Sequence, residues 1–289
     1  MNSYQNRPPV MMSMTERSAA ELADWAVDQI RSHLKVSKRP FVMALSGAQG
    51  SGKSTQSALW ASQLKAAGHP GLVLSLDDFY LSKVERQALG TQVHPLAETR
   101  GPPGTHDTQR LVSVIRRLSD GTACEVALPR FSKADDDRVS DSVQTVQPLD
   151  WVIVEGWCLG ISKADKHAEE ENTPIYRRPN IEHWRYWVQS SIDSEWCDLD
   201  ALFDWIVYLR IPEFESIVDA RWRQEETLMR ETGRSQFTSR DEVREFVSLY
   251  EPWTLRMADY SRPWAHHAFE VCPNYRYREL TCPESDSKS

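Results

Sequence analysis

Residues 47–54 read Gly47-Ala48-Gln49-Gly50-Ser51-Gly52-Lys53-Ser54 and match the pattern G-x-x-x-x-G-K-[ST] at every position. Glycine at these positions lets backbone N–H groups point inward around phosphate oxygens, and the helix that follows adds its positive N-terminal end. A chance match in a chain of this length has a probability of about one in a hundred. The segment therefore predicts a phosphate-binding loop between a strand and a helix.

The sequence on both sides of this loop supplies the two expected elements. An apolar run at 41–46 is typical of a buried strand in a parallel sheet, and 54–67 has a helical periodicity that Gly68 can end. A second strand at 72–76 completes one βαβ unit. Further predicted helices are at 19–34, 111–118, 214–230 and 239–250, and further predicted strands are at 125–128, 151–154, 205–209 and 268–271. This alternation predicts an α/β domain of the P-loop NTPase type, with a mainly parallel central sheet flanked by helices.

The predicted organisation has one large domain. An N-terminal arm is expected to be loose to about Thr15, and the polar segment 162–180, which lacks periodicity, is interpreted as a surface insertion. Helical segments at about 214–250 are interpreted as a lid. The predicted units are 1–37 (arm and helix), 38–280 (domain) and 281–289 (disordered tail).

Composition and charge exclude several classes of function. The formal net charge is −8 and no block of Lys or Arg is present, so the attraction to phosphate backbones that a nucleic-acid binder needs is missing. A small-molecule partner is favoured, and the oligomeric state stays open. No run of about 18 apolar residues and no secretory pattern occurs, which favours a cytoplasmic protein without a membrane partner. The five cysteines form no C-x-x-C pair, as expected for reduced thiols.

Acidic residues follow two of the predicted strands. Asp77 and Asp78 lie at the sheet edge where open α/β folds bind ligands, and a carboxylate there can accept a hydroxyl proton. Glu155 ends another strand, from which an acid can hold Mg²⁺ opposite the phosphate loop. Lys53 would reach the β- and γ-phosphates of a nucleotide such as ATP, and Ser54 would place its hydroxyl on Mg²⁺. The predicted nucleotide-binding residues are Gly47, Ala48, Gln49, Gly50, Ser51, Gly52, Lys53, Ser54 and Thr55.

Several segments together resemble one family of enzymes. They are 47–55, Ser75-Leu76-Asp77-Asp78-Phe79-Tyr80, Arg100-Gly101-Pro102-Pro103-Gly104-Thr105-His106-Asp107, Leu128-Pro129-Arg130-Phe131 and Val154-Glu155-Gly156-Trp157-Cys158-Leu159-Gly160. From about Phe41 to Tyr275 the chain resembles D-glycerate 3-kinase and its relatives, a family related to uridine kinases, pantothenate kinases and phosphoribulokinases. The resemblance implies phosphoryl transfer from MgATP to a hydroxyl of D-glycerate or a similar sugar acid.

The resemblance also implies roles for single residues. Asp77 is the implied base, with Asp78 in a supporting role, and Arg221 and Arg223 resemble lid arginines that close on the transferring phosphate. Lys53, Asp77, Glu155, Arg221 and Arg223 make up the implied catalytic set, and Ser54 and Glu155 the implied metal ligands. The residues implied to bind the acceptor are Asp77, Asp78, Tyr80, Arg100, His106, Asp107 and Arg138. Arg100 and Arg138 are candidates for an acceptor carboxylate, because guanidinium matches it in a two-bond geometry.

Two features depart from the family's pattern. The segment 132–138 is shorter than the usual glycine-containing loop, and Gln189 follows Val188 where asparagine is expected. A uridine- or pantothenate-type acceptor is therefore an alternative. An alternative of another class is a nucleotide-switch GTPase or a non-catalytic nucleotide-binding module, but 132–135 and 162–165 have serine in place of the asparagine of N-K-x-D.

Overall fold

The computed structural model describes residues 11–233, 235, 237–260 and 263–281. Its strands are β1 (Met11–Arg17), β2 (Phe41–Gly47), β3 (Gly71–Ser75), β4 (Cys124–Ser132), β5 (Asp137–Val146), β6 (Trp151–Gly156), β7 (Trp205–Arg210), β8 (His267–Cys272) and β9 (Arg276–Thr281). Its helices are α1 (Ala19–Leu34), α2 (Lys53–Ala66), α3 (Lys83–Gln92), α4 (Thr108–Ser119), α5 (Ile181–Ser191), α6 (Cys197–Asp200), α7 (Phe214–Thr232), α8 (Arg240–Ser248) and α9 (Glu251–Ala258). None of these helices has both the length and the apolar character that crossing a bilayer requires.

The central sheet has the spatial order β1-β9-β8-β7-β2-β6-β3. The strands β3, β6, β2, β7 and β8 pair in parallel, whereas β9 pairs antiparallel with both β8 and β1. The predicted mainly parallel sheet flanked by helices is therefore confirmed. Because β2, β6 and β3 are neighbours, their carboxyl ends bring the phosphate loop, Glu155 and Asp77 to one edge of the sheet.

The buried side chains of β2 alternate between two hydrophobic layers. Val42 and Ala44 pack in the layer that also contains side chains of α4, α5 and α9. Met43 and Leu45 pack on the other face, against side chains of α1 and α2 such as Trp60. Since successive residues of a strand point to opposite faces, a strand covered on both faces must be apolar throughout, and every residue of β2 is buried.

The hairpin of β4 and β5 forms a separate two-stranded sheet. It was predicted only in part, as a short strand at 125–128, because β5 is polar and mostly exposed and so lacks an apolar face. The turn between the strands contains Lys133, Asp135 and Asp136. Asp78 joins this hairpin to the body of the domain, since its carboxylate accepts a hydrogen bond from the backbone N–H of Phe131 at 3.2 Å.

The prediction of a loose N-terminal arm is wrong for Met11–Thr15. These residues belong to β1, which pairs with β9 in the register Met12↔Leu280 and Arg17↔Tyr277. A strand at the sheet edge needs no apolar run, which is why its sequence gave no strand signal. Residues 1–10 of the predicted arm and 282–289 of the predicted tail lie outside the described residues, and Thr281 is the last residue of β9.

The segment 162–180 is more than a surface insertion. Glu170 is buried within it and forms an ion pair with Arg256 of α9, with a nitrogen–oxygen distance of 2.7 Å. The side chain of Ile175 is also buried. The sequence did not indicate this contact, because a buried ion pair looks like surface charge when its partner, 86 residues away, cannot be recognised.

Candidate active site

The phosphate loop has the geometry that its glycines predict. Gly50 and Gly52 have φ angles of +79° and +87°, a left-handed conformation that side-chain-bearing residues rarely adopt. A Cβ atom at Gly50 would lie 2.3 Å from the Cβ of Ala220 in α7. No side chain caps the N-terminus of α2, and its first turn contains no acidic residue. The loop therefore suits an anion, because the first amides of a helix need an acceptor from outside the helix.

Ser54 and Glu155 meet beside this loop. The buried Glu155 carboxylate accepts hydrogen bonds from the hydroxyl of Ser54 at 3.1 Å and from that of Ser75 at 2.7 Å. Among the described residues, no group of three or more His, Cys, Asp or Glu side chains is arranged to hold a metal ion. A hard cation such as Mg²⁺ could still take oxygens of Ser54 and Glu155 here, with the remaining ligands from nucleotide phosphates and water.

Asp77 lies opposite the phosphate loop, in the turn that follows β3. The Nζ of Lys133 lies 2.7 Å from its Oδ2, and the hydroxyl of Tyr80 donates to its Oδ1 at 3.1 Å. Burial raises the pKa of the Asp77 carboxyl, but the positive charges of Lys133 and Lys53 outweigh burial and hold that pKa at about 2. Asp77 is therefore an ionised carboxylate at neutral pH, as a proton acceptor must be.

Asp78 has a different environment from its neighbour. One carboxylate oxygen accepts from the backbone N–H of Phe131 at 3.2 Å, and the other lies 3.3 Å from the guanidinium of Arg130. Both oxygens are thus engaged by β4. Because one of these partners is a backbone N–H of the hairpin, Asp78 has a structural contact, whereas the contacts of Asp77 come from side chains; this difference favours Asp77 as the carboxylate that receives a proton.

Tyr80 and His106 form one stacked unit behind Asp77. Their rings lie 4.3 Å apart at an interplanar angle of 29°. Burial lowers the pKa of His106 to about 3, although the Asp77 carboxylate acts in the opposite direction. His106 is therefore neutral at physiological pH, and its contact with Tyr80 holds the tyrosine ring whose hydroxyl reaches Asp77.

Asp107 and Arg138 form an ion pair behind this unit. Asp107 accepts from the backbone N–H of Arg110 at 3.1 Å and thereby caps α4, and its second oxygen lies 2.9 Å from Arg138. The Nε of Arg138 donates to the backbone carbonyl of Tyr80 at 2.6 Å. These contacts hold Arg138 away from the cavity in front of Asp77.

Two of the predicted arginines line that cavity. Arg100 is buried and forms an ion pair with Asp136, and its carbonyl accepts a hydrogen bond from the hydroxyl of Tyr250 at 2.8 Å. Arg221 of α7 lies 2.5 Å from the buried carboxylate of Glu225. Arg223, two residues further along α7, is exposed and lines a separate groove with Gly50 and Tyr275.

The cavity between the loop and Asp77 has a volume of about 390 Å³. Its lining residues are Gln49, Gly50, Lys53, Ser54, Ser75, Asp77, Asp78, Tyr80, Arg100, Phe131, Lys133, Glu155, Arg221, Gln224, Phe246 and Tyr250. Of the residues predicted to bind the acceptor or transfer the phosphate, His106, Asp107, Arg138 and Arg223 do not line it. Lys133 was missed, and the signal that could have found it is its place two residues after the Pro-Arg-Phe segment, in the turn of a hairpin.

No protein-family model matches the chain, but individual proteins do. It is 31% identical over 239 residues to the uncharacterized kinase mug58 of Schizosaccharomyces pombe, covering 78% of this chain and 85% of that protein. It is 29% identical over 245 residues to the chloroplastic D-glycerate 3-kinase of Arabidopsis thaliana, covering 79% of this chain and 51% of that protein. The structure of D-glycerate 3-kinase from Cryptococcus neoformans has the same fold, with a TM-score of 0.66 at 23% identity, and the match covers 91% of this chain and 99% of that one. The chain therefore belongs to the family of P-loop kinases that includes D-glycerate 3-kinase.

Proposed function

We propose that the protein transfers the γ-phosphoryl group of ATP to a hydroxyl of a small acceptor that carries a carboxylate, with D-glycerate as the best candidate. The observation that carries this proposal is the cavity of about 390 Å³ in which a phosphate loop faces an ionised aspartate. A kinase needs both parts within one enclosed space, because the acceptor oxygen must meet the phosphorus without competition from water.

The nucleotide side of the proposal rests on the loop and α2. Lys53 and the first amides of α2 would bind the phosphates, and the groove that Gly50, Arg223 and Tyr275 line would receive the rest of the nucleotide. Ser54 and Glu155 are the residues that would hold Mg²⁺. When bound, Mg²⁺ neutralises negative charge that develops during phosphoryl transfer.

The acceptor side rests on Asp77. The acceptor hydroxyl oxygen would form a bond to the γ-phosphorus while the bond from that phosphorus to the β–γ bridging oxygen breaks, leaving ADP. The hydroxyl proton would pass to the Asp77 carboxylate. Arg221 adds positive charge beside the same space. Most of the rate enhancement in such a site comes from positioning and charge stabilisation.

The cationic side chains of the cavity are the proposed partners of an anionic acceptor. Four such side chains line the cavity, namely Lys53, Arg100, Lys133 and Arg221, beside the carboxylates of Asp77, Asp78 and Glu155. Arg138 lies outside, so the proposed carboxylate partners are Arg100 and Lys133 rather than Arg100 and Arg138. The segment 132–135 supports a kinase rather than a GTPase switch, because Lys133 contacts Asp77 instead of the groove proposed for the nucleoside.

A screen of acceptors tests the proposal. ATP consumption by the purified protein would be measured with D-glycerate, L-glycerate, glycerol, uridine and pantothenate. We expect the highest kcat/KM with D-glycerate and much slower turnover of glycerol, which keeps the hydroxyls and lacks the carboxylate. Rapid phosphorylation of uridine with none of D-glycerate would contradict the acceptor assignment. Loss of ATP at the same rate with and without every acceptor would contradict the kinase assignment.

A further inference from the structure

In the structure, the ammonium group of Lys133 contacts Asp77, the proposed catalytic base. Lys133 lies in the turn between β4 and β5, its side chain is 63% exposed, and its Nζ lies 2.7 Å from Oδ2 of Asp77. The hydroxyl of Tyr80 takes the other oxygen of the same carboxylate. Each oxygen of the Asp77 carboxylate therefore already has one partner, and an acceptor hydroxyl must compete with that partner for the carboxylate.

Lys133 is the partner that can move at the lowest cost. The side chain of Lys133 is 63% exposed and that of Asp77 is 35% exposed, so the ammonium group can exchange one carboxylate partner for another at the mouth of the cavity. Tyr80 is held more firmly, because its ring is buried and stacks on His106 while its carbonyl accepts from Arg138. Both arginines of the cavity are also held, Arg100 by Asp136 and Arg221 by Glu225, and Lys53 is the side chain proposed to bind the phosphates.

The backbone around Lys133 need not move for this exchange. Asp78 holds the strand before it through the N–H of Phe131, at 3.2 Å. Within the turn, the Ser132 hydroxyl donates to the Asp135 carboxylate at 2.5 Å, and Asp136 after it pairs with Arg86 at 3.1 Å. The backbone of the turn is therefore held in place, whereas the Lys133 side chain is long and flexible. A change of its rotamer is enough to redirect the ammonium group.

We propose that Lys133 selects an anionic acceptor: its ammonium group leaves Asp77 for the acceptor's carboxylate and so frees Oδ2 of Asp77 for the acceptor's hydroxyl. This inference rests on the proposed function and deepens it, because binding of the correct acceptor also uncovers the base. A neutral acceptor offers Lys133 no exchange, so Asp77 stays occupied. The preference for an acid then has two sources. One is the ionic contact between Lys133 and the acceptor's carboxylate, and the other is the release of Asp77 from Lys133.

The protonation behaviour of Asp77 agrees with this exchange. Lys133 and Lys53 together hold the pKa of Asp77 at about 2, against the opposing effect of burial. A carboxylate with so low a pKa is a weak base. Departure of Lys133 removes one of the two positive charges and so raises the pKa of Asp77. The nearby His106 does not replace that charge, because burial lowers its pKa to about 3 and keeps it neutral.

The test compares Lys133→Met, which removes the charge at similar length, with Lys133→Arg and with Lys166→Met, an exposed lysine outside the cavity. Steady-state kinetics would be measured for D-glycerate and glycerol. In Lys133→Met we expect the KM for D-glycerate to rise about 10- to 100-fold, as for loss of a hydrogen bond to a charged group, and kcat/KM for glycerol to stay equal or rise. Lys133→Arg should restore part of the preference for the acid, and Lys166→Met should behave as the wild type.

A pH profile adds a readout that a merely structural role would not change. The acid limb of kcat/KM should shift to higher pH in Lys133→Met, because the pKa of Asp77 rises when a neighbouring positive charge is removed. An unchanged ratio of D-glycerate to glycerol turnover, in a wild type that prefers the acid, would overturn this inference alone. A wild type that prefers a neutral acceptor would overturn the proposed function as well, and that result is obtained before any variant is made.

Discussion

The two walls of the cavity are assembled in different ways. The phosphate wall consists of the loop at 47–54 together with Glu155, which reaches it because β6 pairs with β2. The acceptor wall consists of Asp77, Arg100, Lys133 and Arg221, which come from four segments far apart in the chain. In the phosphate wall the local backbone sets the geometry, whereas in the acceptor wall the packing of separate elements sets it. Substitutions in the two walls should therefore differ in size and in the kinetic constant that they change.

The largest effect is expected in the phosphate wall. Lys53→Ala should nearly abolish turnover, a larger loss than that expected for Asp77→Asn, because it removes a charge that faces the transferring phosphoryl group. The hydrogen bond that Lys53 donates to the carbonyl of Ala48 is long, 3.5 Å, so its loss should hardly change the melting temperature. Kinetics and thermal unfolding measure the two quantities, with Lys65→Ala, an exposed lysine of the same helix, as the control. Turnover of Lys53→Ala at the wild-type rate would contradict the assignment of the phosphate loop as the nucleotide site.

The next effect separates the two neighbouring aspartates of the acceptor wall. Asp77→Asn should lower kcat by about 10²- to 10⁴-fold, the range for loss of a general base, with little change in the affinity for ATP. Asp78→Asn should be mild, because an asparagine oxygen can still accept from the N–H of Phe131. Kinetics with varied ATP and varied acceptor distinguish these effects. If Asp78→Asn lowers kcat strongly while Asp77→Asn has a nearly normal kcat, the base has been assigned to the wrong carboxylate.

The smallest effect concerns Arg138, which lies behind the acceptor wall. Arg138→Ala should change the KM for the acceptor by less than about threefold, well below the 1.4 kcal/mol that a tenfold change represents. It should lower the free energy of unfolding by about 1 kcal/mol, because Asp107 and the Tyr80 carbonyl lose a partner near the surface. Chemical denaturation and acceptor kinetics test the two statements. A rise in KM as large as that expected for Lys133→Met would place Arg138 in contact with the acceptor.

The phosphate wall was predictable because its signals are local. Gly50 and Gly52 are required by their own backbone angles, and no distant contact has to be known to expect them. The residues of β2 and β6 are all buried, so both strands appear in the sequence as apolar runs that end at the site. The order β3-β6-β2 then follows from the usual neighbourhood of parallel strands, and it puts Glu155 beside Ser54.

The acceptor wall was less predictable because its signals are contacts between distant segments. Asp107 belongs to a segment that resembles an acceptor pocket, and Arg138 matches an arginine that follows the Pro-aromatic segment. In the structure, however, Asp107 caps α4 and pairs with Arg138, so the two side chains bind each other rather than an acceptor. Lys133 looks like a surface charge until the hairpin is placed over Asp77. The strands β1 and β9 were missed for a related reason, since their charged residues pair across strands, as Arg278 does with Glu16.

The helices α7 and α8, which the sequence analysis interprets as a lid, are attached to the domain at both ends of their segment. Before α7, Ile211 is buried next to β7, and after α8 the hydroxyl of Tyr250 donates to the carbonyl of Arg100 in the interior. Any movement of the two helices must therefore be smallest near these attached ends and largest at the opposite end, near Gly233. Arg221 lies seven residues into α7, about 10 Å along the axis from the helix start, and so travels little. Because Glu225 already holds Arg221 at the cavity, its charge is in place without any movement of these helices.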